Sequence, residues 1–171
     1  MTIRRATNTD ASSIAVLCAE VWSGTYLRHG ISAFFADYVL ETFTAANTRA
    51  LIHDPAQFTL VSQNAEGIDG VMRLSSDSAG PVEGCSMWEI ATLYVQPRHH
   101  GKGIGQRLLK GAITRAGAQG AASVWLTTNA ENTPAIAFYD AQGFTQIGET
   151  HFMISDQKYL NNVYRHVIEV S

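Results

Sequence analysis

The chain has 171 residues, 46% hydrophobic and 16% charged, with a net charge of −3. That length suits a single domain, 1–171, that can bury a substantial core, and the composition is that of an ordinary globular protein. The small negative charge argues against a nucleic-acid footprint, and no apolar run of about 18 residues argues for a membrane span.

In chain order, residues 2–6 read as a short strand. Asn8-Thr9-Asp10 caps a helix from Ala11 to Trp22, with Ile14, Leu17, Cys18 and Val21 at helical spacing. Gly24 and Gly30 interrupt the next stretch. A helix over Ile31–Phe43 follows, with Phe34, Phe35, Tyr38 and Val39 on one side. Thr44 caps another that ends at His53, before Asp54-Pro55. Gln57–Gln63 and Gly67–Ser75 read as strands joined by the polar turn Asn64-Ala65-Glu66-Gly67. Asp77–Gly84 is a loop, Met87–Val95 a strand, Ile104–Ala118 a helix and Ser123–Thr127 a further strand. Asn132 caps a helix with Pro134 in its first turn, where proline is tolerated. Gly143 ends that helix, and Phe144–Ile154 and Leu160–Val170 read as closing strands.

The run from Met87 to Thr127 is a β-α-β unit, so its two strands should be parallel. The earlier strands are joined by turns and should be antiparallel. The expected fold class is α+β, a mixed, mostly antiparallel sheet flanked by helices. The N-terminal Met1-Thr-Ile-Arg-Arg-Ala lacks the apolar core of a secretory signal. Cys18 and Cys85 make no disulfide framework or metal spacing. A cytoplasmic, reduced protein is expected, with Cys18 as a small core residue.

The most informative stretch is Glu89 to Leu109, a strand, a glycine-rich turn and a helix start. Gly101, Gly103 and Gly105 stand where a chain can aim bare N–H groups at an anion. Neither nucleotide motif fits. The spacing is one residue short of a dinucleotide fingerprint, and Gln96 stands where a P-loop needs glycine. The glycine turn by itself either cradles a phosphate-bearing molecule of another kind or only caps its helix.

The second half contains Asn132-Thr-Pro-Ala-Ile-Ala-Phe-Tyr-Asp-Ala-Gln-Gly-Phe144. Together with Leu93-Tyr94-Val95 and the glycine turn, it resembles the GCN5-related N-acetyltransferases (GNAT). That family's pattern [Q/R]-x-x-G-x-[G/A] is met at Gly103 and Gly105, with His100 in the place usually held by Gln or Arg. The later pattern N-x-x-A-x-x-F-Y-x-x-x-G-F is met at Asn132, Ala135, Phe138, Tyr139, Gly143 and Phe144. Trp22-Ser-Gly-Thr-Tyr26 and Gly148–Gln157 resemble the polyamine acetyltransferase branch.

The resemblance implies acetyl-CoA as co-substrate, with no metal, and a small-molecule amine as acceptor, a polyamine being one candidate. It implies that His100, Gly101, Lys102, Gly103, Ile104, Gly105 and Gln106 hold the pyrophosphate, and that Leu93, Tyr94 and Val95 offer backbone groups to the pantetheine arm. Asn132 either bonds that arm or only caps its helix. Tyr139, protonated at neutral pH, either donates to the departing thiolate or packs beside Phe138. Glu89, a carboxylate in an apolar strand, is either the base acting on the amine or one half of a structural pair. Trp22, Tyr26 and Trp88 either line an amine pocket by cation–π contact or belong to the core. His151 either faces the acceptor or the solvent. Peptide or protein N-terminal acetylation, amine-drug acetylation and a CoA-binding sensor without turnover are the competing functions. The intact glycine turn and Tyr139 favour an enzyme. Family members frequently dimerise, so a homodimer is a further expectation.

Overall fold

The computed structural model describes residues 1–169. Seven strands and five α-helices form an α+β fold. In chain order they are β1 (Thr2–Arg5), α1 (Ala11–Tyr26), α2 (Ala33–Thr42), α3 (Ala45–His53), β2 (Gln57–Gln63), β3 (Ile68–Ser75), β4 (Glu89–Val95), α4 (Ile104–Ala118), β5 (Ser123–Asn129), α5 (Thr133–Ala141), β6 (Thr145–Ile154) and β7 (Gln157–Val167). The strands make one mixed sheet in the order β1-β2-β3-β4-β5-β7-β6. The β4–β5 pair is parallel, at Glu89 and Trp125, as a β-α-β unit requires. The β1–β2, β5–β7 and β6–β7 pairs are antiparallel.

The chain divides into two compact units, one of Met1–Arg73 with Thr92–Gly111, the other of Leu74–Ala91 with the chain from Ala112 onward. In the first unit, Ile14, Leu17 and Cys18 of α1 are buried against Val61 and Val71 of the sheet. Each aliphatic side chain so buried contributes about 1.5–3 kcal/mol. Ahead of α1, the Arg4 guanidinium grips both carboxylate oxygens of Asp10 at 2.7 and 2.8 Å, and Thr7 N–H donates to Asp10 Oδ2 at 2.7 Å. Ser32 and Thr44 cap α2 and α3, accepting from Phe35 N–H and Asn47 N–H. Gly70 lets α4 lie close on β3, since a Cβ there would sit 3.0 Å from Ile104 and Leu108.

Several boundaries differ from the sequence reading; β4 begins at Glu89 rather than Met87, and β5 runs to Asn129 rather than Thr127. The first helix does not stop at Trp22 but runs through Gly24 to Tyr26. A glycine inside a helix costs about 0.5–1 kcal/mol, and the stacked rings of Trp22 and Tyr26, 4.6 Å apart, offset it. The second helix begins at Ala33 rather than Ile31, because Ser32 is extended and its side chain accepts from Phe35 N–H as the cap. The last strand starts at Gln157, because a tight turn at Ser155 pairs Ile154 directly with Gln157. It ends at Val167, short of the expected Val170, which itself lies outside the described residues.

In the second unit, Val124 and Leu126 of β5 and Val163 of β7 are fully buried. Phe144 and Tyr139 pack at 5.7 Å between ring centres.

Candidate functional site

The first unit carries the glycine turn. The end of β4 is pinned by Gln96 N–H, which donates to Asp69 O at 2.9 Å. The Gln96 and Arg98 side chains both reach Glu20 of α1, at 2.7 and 3.3 Å. A short turn at Pro97–His99 follows. Gly101 and Gly103 then take φ of +77° and +75°, a region that strains any residue with a Cβ. A Cβ at either would meet nothing within 4 Å, so that side of the turn is open. Arg107 N–H is the first to close the helix, onto Gly103 O at 3.1 Å. The N–H groups of Ile104, Gly105 and Gln106 precede it, as the orphan donors of a helix start. Open space, bare donors and the positive end of the helix dipole coincide, an arrangement that fits a phosphate.

His100, the irregular position, has its own partner. Its Nε2 lies 3.0 Å from Val95 O. A carbonyl only accepts, so Nε2 carries the hydrogen and the ring ties the turn back to β4. Lys102 Nζ lies 2.9 Å from His99 Nδ1, which must accept from the ammonium. Leu93, Tyr94 and Val95 are half-buried, with Tyr94 against the core of this unit. Trp22 is only 4% exposed and sits among Tyr26, Phe35, Tyr38 and Phe43. Tyr26 is half-buried beside it.

The second unit carries Glu89, Tyr139 and Asn132. Glu89 pairs with Trp125, and Trp125 with Arg165, so these three share one face of the sheet. The loop before β4 lies on that face. Ser78 Oγ donates to Glu89 Oε2 at 2.6 Å, Trp125 Nε1 donates to Ser86 O at 2.9 Å and Arg165 Nη1 donates to Gly84 O at 3.3 Å. Leu126 and Tyr164 take the opposite face. Tyr139 packs there against Tyr164, 6.3 Å between ring centres, and against Phe138 at 5.3 Å. Tyr139 is 8% exposed, and burial pushes its hydroxyl well above its ordinary pKa of 10.0. Asn132 Oδ1 accepts from Ala135 N–H at 3.3 Å and so caps α5. Trp88 is half-buried, with its backbone N–H donating to Ser86 Oγ at 3.1 Å. His151 is exposed on β6, opposite Leu160.

The sequence reading had no hold on Ser78. It lies in a loop eleven residues before Glu89, and no spacing rule links the two. Glu20 was likewise missed, although a carboxylate near the end of a largely apolar helix was a visible signal. Among the described residues no group of three or more His, Cys, Asp or Glu could hold a metal ion, and no helix is long and apolar enough to cross a membrane.

Residues 24–144 match the model of the acetyltransferase (GNAT) family. An uncharacterised N-acetyltransferase of Mycobacterium tuberculosis is 26% identical over 146 residues, covering 85% of this chain and 90% of that protein. Streptothricin acetyltransferase of Streptomyces lavendulae is 41% identical over 59 residues, 34% of this chain and 31% of that one. Among solved structures, the PaiA N-acetyltransferase of Thermoplasma acidophilum in complex with coenzyme A superposes with a TM-score of 0.75 at 18% identity, covering 94% of this chain and 96% of that one.

Proposed function

Since the chain belongs to the acetyltransferase (GNAT) family, whose acetyl donor is acetyl-CoA, we propose that it transfers an acetyl group directly to a primary amine of a small molecule. The observation that carries this reading is the start of α4, where two left-handed glycines face open space ahead of unpaired helix donors.

Acetyl-CoA supplies the thioester. The N–H groups from Gly101 to Gln106 bind its pyrophosphate, each charge-assisted bond contributing on the order of 1.5–3 kcal/mol. The edge of Leu93-Tyr94-Val95 receives the pantetheine arm. The Val95 carbonyl has a second lone pair beyond the one His100 uses. His100 here shapes the turn in place of the family's usual Gln or Arg.

An alkyl ammonium with a pKa near about 10.4 must lose a proton before it attacks. We assign that proton to the Glu89 carboxylate, directly or through a water. The new C–N bond forms as the C–S bond breaks. Tyr139 O–H donates a hydrogen bond to the departing thiolate, which takes its proton from water, so the products are the N-acetyl amine and the free thiol. Burial disfavours the Tyr139 anion, so the hydroxyl stays protonated and serves as a hydrogen-bond donor rather than giving its proton away.

Two acceptor classes have specific support. A polyamine is favoured by the likeness of Trp22–Tyr26 and Gly148–Gln157 to that enzyme branch. An amine-bearing antibiotic or amino-acid analogue is favoured by the streptothricin acetyltransferase match. The family's habit of dimerising makes a homodimer the assembly this reading expects, which sedimentation would test. Thiol release from acetyl-CoA across a panel of primary amines tests the activity. Tight coenzyme A binding with no release from any acceptor would replace the enzyme with a sensor.

A further inference from the structure

Gln96 directly follows Val95, the last residue of β4, and opens the segment that leads to Gly101 and Gly103. Three of its atoms are held. Its backbone N–H donates to Asp69 O of β3 at 2.9 Å, and its carbonyl accepts from His99 N–H at 2.8 Å. Its side-chain Nε2 donates to Glu20 Oε2 of α1 at 2.7 Å. Arg98, two residues on, donates to the other oxygen of the same carboxylate at 3.3 Å. Glu20 belongs to the helix whose Ile14, Leu17 and Cys18 are buried in the core of the first unit. One carboxylate on a packed helix thus ties down the start of the glycine turn from 76 residues away in sequence.

Two effects of Glu20 on an anion at the start of α4 have opposite signs. As a charge it repels the anion and engages Arg98, so its removal would tighten binding. As an anchor it fixes the segment from which the N–H groups of 101–106 converge, so its removal would weaken binding. The ion pair is exposed, 70% at Arg98 and 34% at Glu20, and such pairs contribute little. Repulsion from an exposed carboxylate is also screened by salt. The bond to Gln96 is charge-assisted and partly buried, which makes it the stronger of the two contacts. The anchoring effect therefore prevails. We propose that Glu20 is a positioning residue for the acetyl donor, acting through Gln96 to orient the turn that holds the pyrophosphate. This deepens the acetyltransferase reading and rests on it.

Calorimetry with coenzyme A compares wild type with Glu20→Ala. Affinity should fall by about tenfold. Unchanged or tighter binding overturns the proposal, because it is the response to removing a charge that only repels the anion. With the best amine of the thiol-release panel, the KM for acetyl-CoA should rise while kcat at saturation stays within about twofold of wild type. A fall in kcat with that KM unchanged counts against the proposal. Amide hydrogen exchange from Arg98 to Gln106 in the ligand-free protein reads the tether apart from the donor. Exchange should quicken in Glu20→Ala and in Gln96→Glu, which sets two carboxylates against each other. It should return to the wild-type rate in the double variant Glu20→Gln, Gln96→Glu, where amide and carboxylate have changed places. Exchange that does not respond in Glu20→Ala, or a double variant no slower than Gln96→Glu alone, overturns the tether. Wild type that binds no coenzyme A would sink the acetyltransferase reading, whereas the exchange rates still decide the role of Glu20. Thermal transitions check the folding of each variant, and if Glu20→Ala unfolds, Gln96→Glu and the double variant carry the test.

Discussion

Glu89 and Tyr139 lie on opposite faces of the same sheet. Glu89 shares its face with Trp125 and Arg165, and Tyr139 stacks against Tyr164 on the other. A base and an acid separated in this way cannot exchange a proton with each other directly. In a direct transfer the amine nitrogen and the sulfur share one carbonyl carbon, so a proton that goes from the Tyr139 side to Glu89 would travel through water. Ser78, bonded to Glu89 at 2.6 Å, fixes the direction of the carboxylate.

Glu89→Gln keeps the shape of the side chain and removes its basicity. Turnover should fall by roughly 10²-fold or more, the usual contribution of a positioned general base, with acetyl-CoA affinity unchanged. The pH profile of kcat/KM should lose its acidic limb. Steady-state kinetics from pH 5 to pH 9 measures both, and an unaltered profile would refute the base assignment.

Tyr139→Phe retains the ring and its contacts with Phe138, Phe144 and Tyr164. Its thermal transition should stay close to wild type while kcat drops by about 10²-fold. Tyr139→Ala empties the same space and should destabilise the fold by about 3–5 kcal/mol, as for other buried aromatics. Denaturant titration separates the two. A Phe variant with full activity would leave Tyr139 with packing alone.

Gly103→Glu brings a side chain and a negative charge into the open side of the turn, where φ is +75°. Coenzyme A binding, read by calorimetry, should be lost. Gly103→Ala adds no clash, because nothing lies within 4 Å of its Cβ. It should cost about 1–2 kcal/mol from the left-handed backbone alone and weaken binding less. Wild-type affinity in Gly103→Glu would be falsifying evidence for this placement of the pyrophosphate.

Asp10 governs the acid limb of stability. Its hydrogen bond to Arg4 is the main cause that lowers its folded pKa from 3.8 to about 2, with Thr7 adding to it against the opposing cost of burial. A depressed carboxylate contributes stability that is fully present above the unfolded value and is lost as pH falls through the folded one. Stability should therefore decline from about pH 4 to pH 2 by on the order of 2 kcal/mol from this group. Asp10→Asn should lower stability at pH 7 and flatten that decline in urea titrations at stepped pH.

Most of the fold was legible in the sequence because its signals are local. The apolar spacing of Ile14, Leu17 and Cys18, the cap at Thr44 and the turn residues Asn64 and Gly67 each act within a few residues of chain. Their elements form where expected. The glycine turn was legible for the same reason, since Gly101 and Gly103 answer to their own backbone torsions. Gly24 misled because propensity is weak, and the stacking of Trp22 on Tyr26 outweighed it.

Periodicity and turn chemistry by themselves determined an α+β chain with a glycine-rich helix start, and the resemblance of two motifs to the GNAT family implied the acetyltransferase. Only the tertiary structure decided that Ser78 holds Glu89, that His100 closes back on Val95, and that Glu89 and Tyr139 take opposite faces. Each of these depends on register between strands or on the approach of segments distant in sequence. Spacing along one chain does not encode such geometry, because it arises only when side chains from different elements bury one another.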